Sequence, residues 1–207
     1  PTLAYAVLFF GKAFPKPSVE GVTSVGSNIK AMFSPVFIFL FFAMALTAIS
    51  EFGPQQWVGL IMSKSGASPM LILALTTGVM AVGRFFAGPV VKALGQTGVL
   101  LGGAIFASIG VFMFSTVTGP MAYVAALIFA IGVCYFWPVM VGAVAQRVPL
   151  SGALGMSIIG GVGMFSTAIF QPIIGGWIDA ARLSQGAAGL TGDALELAAG
   201  QETLQKV

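Results

Sequence analysis

The sequence predicts an all-α membrane protein, a bundle of transmembrane helices. Hydrophobic residues make up 57% of the 207 residues and charged residues only 7%, against roughly 25% charged in an ordinary soluble domain. Five long apolar segments follow one another between residues 34 and 177. A helix needs about 20 apolar residues to cross a bilayer core. All five segments are predicted to be helices, because an open sheet edge leaves backbone groups unsatisfied in lipid.

The first and last parts of the chain differ from this central domain. Residues 1–10 are predicted to be the end of a preceding transmembrane helix, and residues 11–33 a loop rich in Lys, Gly, Ser and Pro. Residues 178–207 hold four acidic residues and no apolar segment, which predicts a solvated tail with one short helix near Asp193–Ala199. Because the chain begins inside an apolar segment, we expect it to be part of a longer protein.

The five spans are predicted at residues 35–51 (resuming at 57–62), 69–87, 98–117, 120–145 and 152–177. A Ser-Pro pair opens each of the first two, and its Ser is predicted to be the N-cap and its Pro the first helical residue. In the first span, Gly53-Pro54 predicts a break. In the fourth, Pro138 predicts a kink, since proline cannot donate the helical hydrogen bond.

Basic residues predict the orientation. Assigning the connections alternately to two sides of the membrane puts six basic residues on one side, against three on the other. The first set is Lys12, Lys16, Lys30, Arg84, Lys92 and Arg147; the second is Lys64, Arg182 and Lys206. Because cytoplasmic loops carry the excess of Lys and Arg, the 11–33 loop is predicted to be cytoplasmic.

The composition also excludes classes of function. The net charge is +3, but the bases are scattered, whereas binding of nucleic acid requires a basic cluster. The chain has no His and a single Cys, Cys134, so neither a disulfide framework nor a multi-Cys metal site is predicted. The Gly-x-x-x-x-Gly-Lys-Ser/Thr phosphate-binding motif does not occur. We therefore expect no enzyme activity, catalytic residue, metal or cofactor.

Glu51 is the acidic residue most in need of an explanation, because it closes an apolar span. An ionisable group within a membrane costs several kcal/mol unless it is paired or faces a wet cavity. One interpretation is a proton-coupling or substrate-binding carboxylate, with Gln55 and Gln56 beside it. The other is a carboxylate at the outer interface, hydrogen-bonded near these amides, with Trp57 as an interfacial anchor.

Two later spans carry further candidates for a central cavity. Tyr135 and Trp137 lie beside Pro138 at mid-membrane depth, where their polar atoms need partners that lipid does not supply. Thr167 and Gln171 share one helix face at positions i and i+4. Helix–helix packing is the competing interpretation for the aromatic pair.

Residues 83–101 resemble the short cytoplasmic loop of major facilitator superfamily transporters. Gly88 and Gly95 fall on its glycine positions, Lys92 stands where the family has an acid, and Gly83-Arg84 precedes the loop as it often does in the second half of these proteins. The resemblance implies the C-terminal half of such a transporter: helices seven to eleven, with the end of helix six. Arg84 and Lys92 are either positive-inside anchors or gating contacts with the other half.

The resemblance implies secondary active transport, in which two six-helix halves rock around a midplane site. The implied substrate is a sugar, nucleoside or organic metabolite. A proton gradient, as in a symporter, is the expected energy source, since the chain has no ATP-binding loop. The partners would be the substrate, the lipid bilayer and the N-terminal six-helix half, in a bacterial inner membrane. A non-transporting membrane sensor or a subunit of a membrane complex is the alternative.

Overall fold

The computed structural model describes residues 10–12 and 24–207, and every regular element in this part of the chain is helical. The helices are α1 (Val25–Met32), α2 (Pro35–Ser63), α3 (Pro69–Phe85), α4 (Ala87–Phe114), α5 (Met121–Val133), α6 (Phe136–Arg147), α7 (Gly152–Ala187) and α8 (Gly192–Leu204). A 3-10 turn, Pro149–Ser151, precedes α7.

Four stretches are long and apolar enough to cross a membrane: α2, α4, the stretch Met121–Arg147 that contains α5 and α6, and the stretch Pro149–Ala187 that contains α7. The chain therefore has the helix content and lengths of an integral membrane protein. Helix α3 is apolar but only 17 residues long, or about 25 Å at 1.5 Å per residue. A turn at Phe86 separates the end of α3, at Phe85, from α4.

The predicted N-caps of the first two spans are confirmed. The Ser34 side chain accepts a hydrogen bond from Phe37 N at 3.3 Å, and that of Ser68 accepts one from Leu71 N at 3.4 Å. Each satisfies a donor that the first helical turn leaves without a partner.

Three features predicted from the sequence differ in the structure. The first span has no Gly-Pro break, because α2 remains helical from Pro35 to Ser63 with Pro54 inside it. Within the predicted 11–33 loop, Val25–Met32 forms α1, while residues 13–23, and residues 1–9 of the predicted helix end, lie outside the described part of the chain. Residues 178–207 contain the predicted short helix, which is α8, but they are not mainly a solvated tail, because α7 continues to Ala187 and α8 buries Ala199 and Leu204. The small residues of α8 allow close packing, since a Cβ on Gly200 would lie 2.6 Å from Ile61 Cγ1.

The buried side chains form two apolar clusters that share α2. One packs the first half of α2, through Phe37 and Met44, against α6 and the start of α7. The other packs the second half, through Val58 and Met62, against α3, α4 and α5. Glu51 lies on α2 between these two sets of contacts.

Candidate functional site

The Glu51 side chain is buried in the middle of α2. The residue is 1% exposed, and it lies 16 residues after Pro35 in a helix that continues to Ser63. The interpretation of Glu51 as an interfacial carboxylate placed it at the end of a helix. Helix α2 does not end there, because the surrounding bundle holds Pro54 within a continuous helix, as it can in membrane proteins.

Arg84 of α3 is the charged partner of Glu51. Its Nη2 lies 3.5 Å from Glu51 Oε1, at the outer limit of a hydrogen bond. The Arg84 side chain remains 42% exposed, whereas that of Glu51 is 2% exposed. The contact is therefore a loose ion pair in which the carboxylate is buried and the guanidinium is partly exposed. We call the exposed part of the guanidinium the open side of Arg84.

A second contact ties Arg84 to the junction between α5 and α6. Arg84 Nε donates to the Cys134 carbonyl oxygen at 3.0 Å. In a continuous helix, this carbonyl would accept from the residue four positions later, which is Pro138 and has no N–H. The predicted kink is thus present as a helix break at Cys134–Tyr135. Arg84 donates to the Cys134 carbonyl oxygen, which Pro138 leaves without a donor.

Close contact between α3 and this junction holds the arrangement in place. Tyr135 Oη donates to the Gly83 carbonyl oxygen at 2.9 Å. A Cβ at Gly83 would lie 2.5 Å from Cys134 Sγ. Glycine at position 83 therefore permits the approach that brings Arg84 to both of its partners.

Two buried oxygens on α2 have no hydrogen-bond partner among the described residues: Glu51 Oε2 and Gln55 Oε1. They belong to residues at i and i+4, which lie on the same helix face. Gln55 also lines a cavity of about 30 Å³ together with Thr76. A cavity of this size holds about one water, which could satisfy such an acceptor.

Gln171 bridges α7 and α2 at the level of their two internal prolines. Its Oε1 accepts from Trp57 Nε1 at 2.7 Å, and its Nε2 donates to the Phe52 carbonyl oxygen at 2.8 Å. Thr167 does not join this bridge, because its hydroxyl donates to the Gly163 carbonyl of its own helix. Gln56 is exposed. Among the site residues predicted on α2 and α7, Gln171 is the one whose side chain forms hydrogen bonds between these two helices.

Trp137 packs between helices. Its ring meets that of Phe52 edge-on, with centroids 6.0 Å apart, and a Cβ on Gly163 would lie 2.9 Å from the indole. The glycine-rich face of α7 thus accommodates this indole. These contacts favour packing as the role of Trp137.

The remaining residues of the predicted loop motif, Gly88, Lys92 and Gly95, are exposed. Gly95 has φ 70° and ψ 165° inside α4, a backbone conformation that is essentially restricted to glycine. Its role is to bend the chain between the first turns of α4 and the long apolar part of that helix.

A larger cleft of about 740 Å³ lies between α2 and α4. Its lining includes Thr47, Ser50 and Ser108 but none of the predicted site residues. The Thr47 and Ser50 hydroxyls donate to carbonyls of α2 itself. The cleft is therefore weakly polar, with no charged side chain among its lining residues.

Sequence reasoning identified Glu51 and Arg84 separately but did not pair them. A signal was present: each is the sole charged residue of its helix, and the two helices form a hairpin. Within residues 10–12 and 24–207, no group of His, Cys, Asp and Glu side chains could hold a metal ion. The chain matches no protein-family model, no curated protein and no solved structure.

Proposed function

We propose that this chain forms one half of a proton-coupled secondary transporter of the major facilitator type, and that Glu51 is the proton-coupling carboxylate. The observation that carries the proposal is a buried carboxylate in a long apolar helix, held by one loose ion pair. Membrane proteins place such groups at proton and substrate pathways, because the cost of burying them is several kcal/mol.

The contacts of Arg84 suggest how a proton could be coupled to movement. Arg84 is bound at once to α2, through Glu51, and to the α5–α6 junction, through Cys134. Protonation of Glu51 removes the charge attraction across the α2–α3 contact but leaves the bond to the junction intact. Helix α2 can then shift against α3 and the junction, as alternating access requires.

The N-terminal half of the transporter would complete the solute site. We propose that the open side of Arg84 faces this site, between the two halves, and that the lipid bilayer surrounds the assembly. The excess of basic residues orients the 11–33 segment toward the cytoplasm, in a bacterial inner membrane. The solute would be a sugar, a nucleoside or another organic metabolite, and neither catalysis nor a cofactor is needed.

The test is proton movement driven by a solute gradient. The full-length protein is reconstituted in liposomes that contain a pH-sensitive dye, and sugars, nucleosides and organic acids are added outside. We expect at least one solute to change the internal pH, and Glu51→Gln to abolish this change. Glu202→Gln, which alters a half-buried carboxylate of α8 that bonds Gln185 and Lys206, is the matched control and should leave proton movement intact. Solute-coupled proton movement at the normal rate in Glu51→Gln would refute the role of Glu51.

A further inference from the structure

The open side of Arg84 has unused hydrogen-bonding capacity. A guanidinium carries five N–H groups, and Arg84 uses one on Nε for Cys134 and one on Nη2 for Glu51. Its Nη1 has no hydrogen-bond partner among the described residues, and 42% of the side chain is exposed. The edge formed by Nη1 and Nη2 is therefore available to a group from outside this half.

The shape of that edge favours a carboxylate. Two parallel N–H groups of a guanidinium match the two oxygens of a carboxylate, and such a bidentate pair adds energy and geometric specificity to a single charged contact. Glu51 offers Arg84 only one oxygen, at 3.5 Å. An incoming carboxylate that engaged Nη1 and Nη2 together would form the better pair.

Charge balance links this event to a proton. Glu51 and Arg84 are the sole charged residues of α2 and α3, and the junction adds only the neutral Cys134 and Tyr135. Helices α5 and α7 bring no charged residue before Asp179, and the charges of α8 pair with Lys64, Arg182 and Lys206. If Glu51 takes up a proton, the site holds one uncompensated positive charge, and an anion restores neutrality.

We infer that Arg84 binds the carboxylate of an organic-anion substrate, in competition with Glu51. The exchange is one proton onto Glu51 and one anion onto Arg84, with no covalent change. Each binding event then favours the other, as linkage requires. This inference rests on the proposed function, which it narrows from organic solutes in general to monocarboxylates moved with one proton.

The experiment measures binding and not transport, so the two proposals can fail separately. The full-length protein in nanodiscs is titrated with gluconate and glucose, which share a carbon skeleton, and with benzoate and benzyl alcohol. We expect the wild-type protein to bind a carboxylate but not its neutral partner. Its affinity should fall about tenfold per pH unit once Glu51 is ionised, because one proton is linked to binding.

Variants identify the two groups. Glu51→Gln should bind the carboxylate with no pH dependence, since the competing charge is gone. The double variant Glu51→Gln/Arg84→Gln keeps the site neutral, so it should fold but lose binding at least tenfold. Arg182→Gln, an arginine of the α7–α8 contact, is the matched control and should bind as wild type does.

Three results would overturn the inference: equal binding of the neutral partner, pH-dependent binding that survives in Glu51→Gln, or no carboxylate bound by Glu51→Gln. Proton-coupled flux of a neutral solute would leave the proposed function standing while removing this inference. Carboxylate binding without any flux would remove the proposed function and leave the binding of a carboxylate by Arg84 standing.

Discussion

Replacing Gly132 of α5 by alanine tests the close backbone contact between α4 and α5. A Cβ at this position would lie 2.3 Å from Ala107 N, 2.7 Å from Ala107 Cα and 2.8 Å from the Gly103 carbonyl oxygen, all in α4. Ordinary contact begins at 3.4 Å. These neighbours are backbone atoms, which no side-chain rotation can move, so α4 and α5 must separate by about 1 Å.

Two opposing effects set the magnitude. Alanine is a better helix former than glycine by about 1 kcal/mol, while overpacking a well-packed interface costs about 1–3 kcal/mol. A separation of about 1 Å also forfeits a quarter to a half of each dispersion contact across the interface. We expect packing to dominate and Gly132→Ala to destabilise the protein by about 2 kcal/mol.

Gly102→Ala in α4 is the matched control, because a Cβ there would meet nothing within 4 Å. It should leave stability unchanged or raise it by up to about 1 kcal/mol. The free energy of unfolding is measured by titrating the detergent-solubilised protein with sodium dodecyl sulfate, using tryptophan fluorescence. Equal stability of the two alanine variants would show that α4 and α5 do not approach as described.

Two further predictions concern α7 and α8. Gln171→Leu removes both hydrogen bonds to α2, the one from Trp57 Nε1 and the one to the Phe52 carbonyl oxygen, and it should cost about 1–2 kcal/mol in the same titration. Replacing the exposed Gln56 by Leu should cost nothing, and an equal loss in both variants would contradict the bridge. The hydrogen bond from Gln185, helped by Lys206, holds the pKa of Glu202 below its usual range. Its contribution to stability is therefore present above pH 4.5 and lost as pH falls through the lowered pKa. Amide exchange in α8 should rise in that acid range relative to Glu202→Gln at the same pH, and identical profiles would refute the prediction.

The N-caps and the Pro138 kink could be predicted because each depends on residues within about one helical turn. The continuity of α2 through Gly53-Pro54 could not be predicted in this way. A proline weakens a helix locally, but whether the helix stops depends on what packs around it. Here Ile174 of α7 lies against Gly53, and the Gln171 side chain bonds the Phe52 carbonyl, so neighbouring helices maintain the path of α2.

The sequence by itself determined that the chain is a set of apolar helices, because lipid leaves a backbone few ways to satisfy its hydrogen bonds. It also singled out Glu51 as a group whose burial needs a partner. Only the tertiary structure decided that the partner is Arg84, and that Arg84 also binds Cys134. The reason is that the pairing depends on how α3 packs against the α5–α6 break, a contact between residues 50 positions apart, which no local pattern encodes.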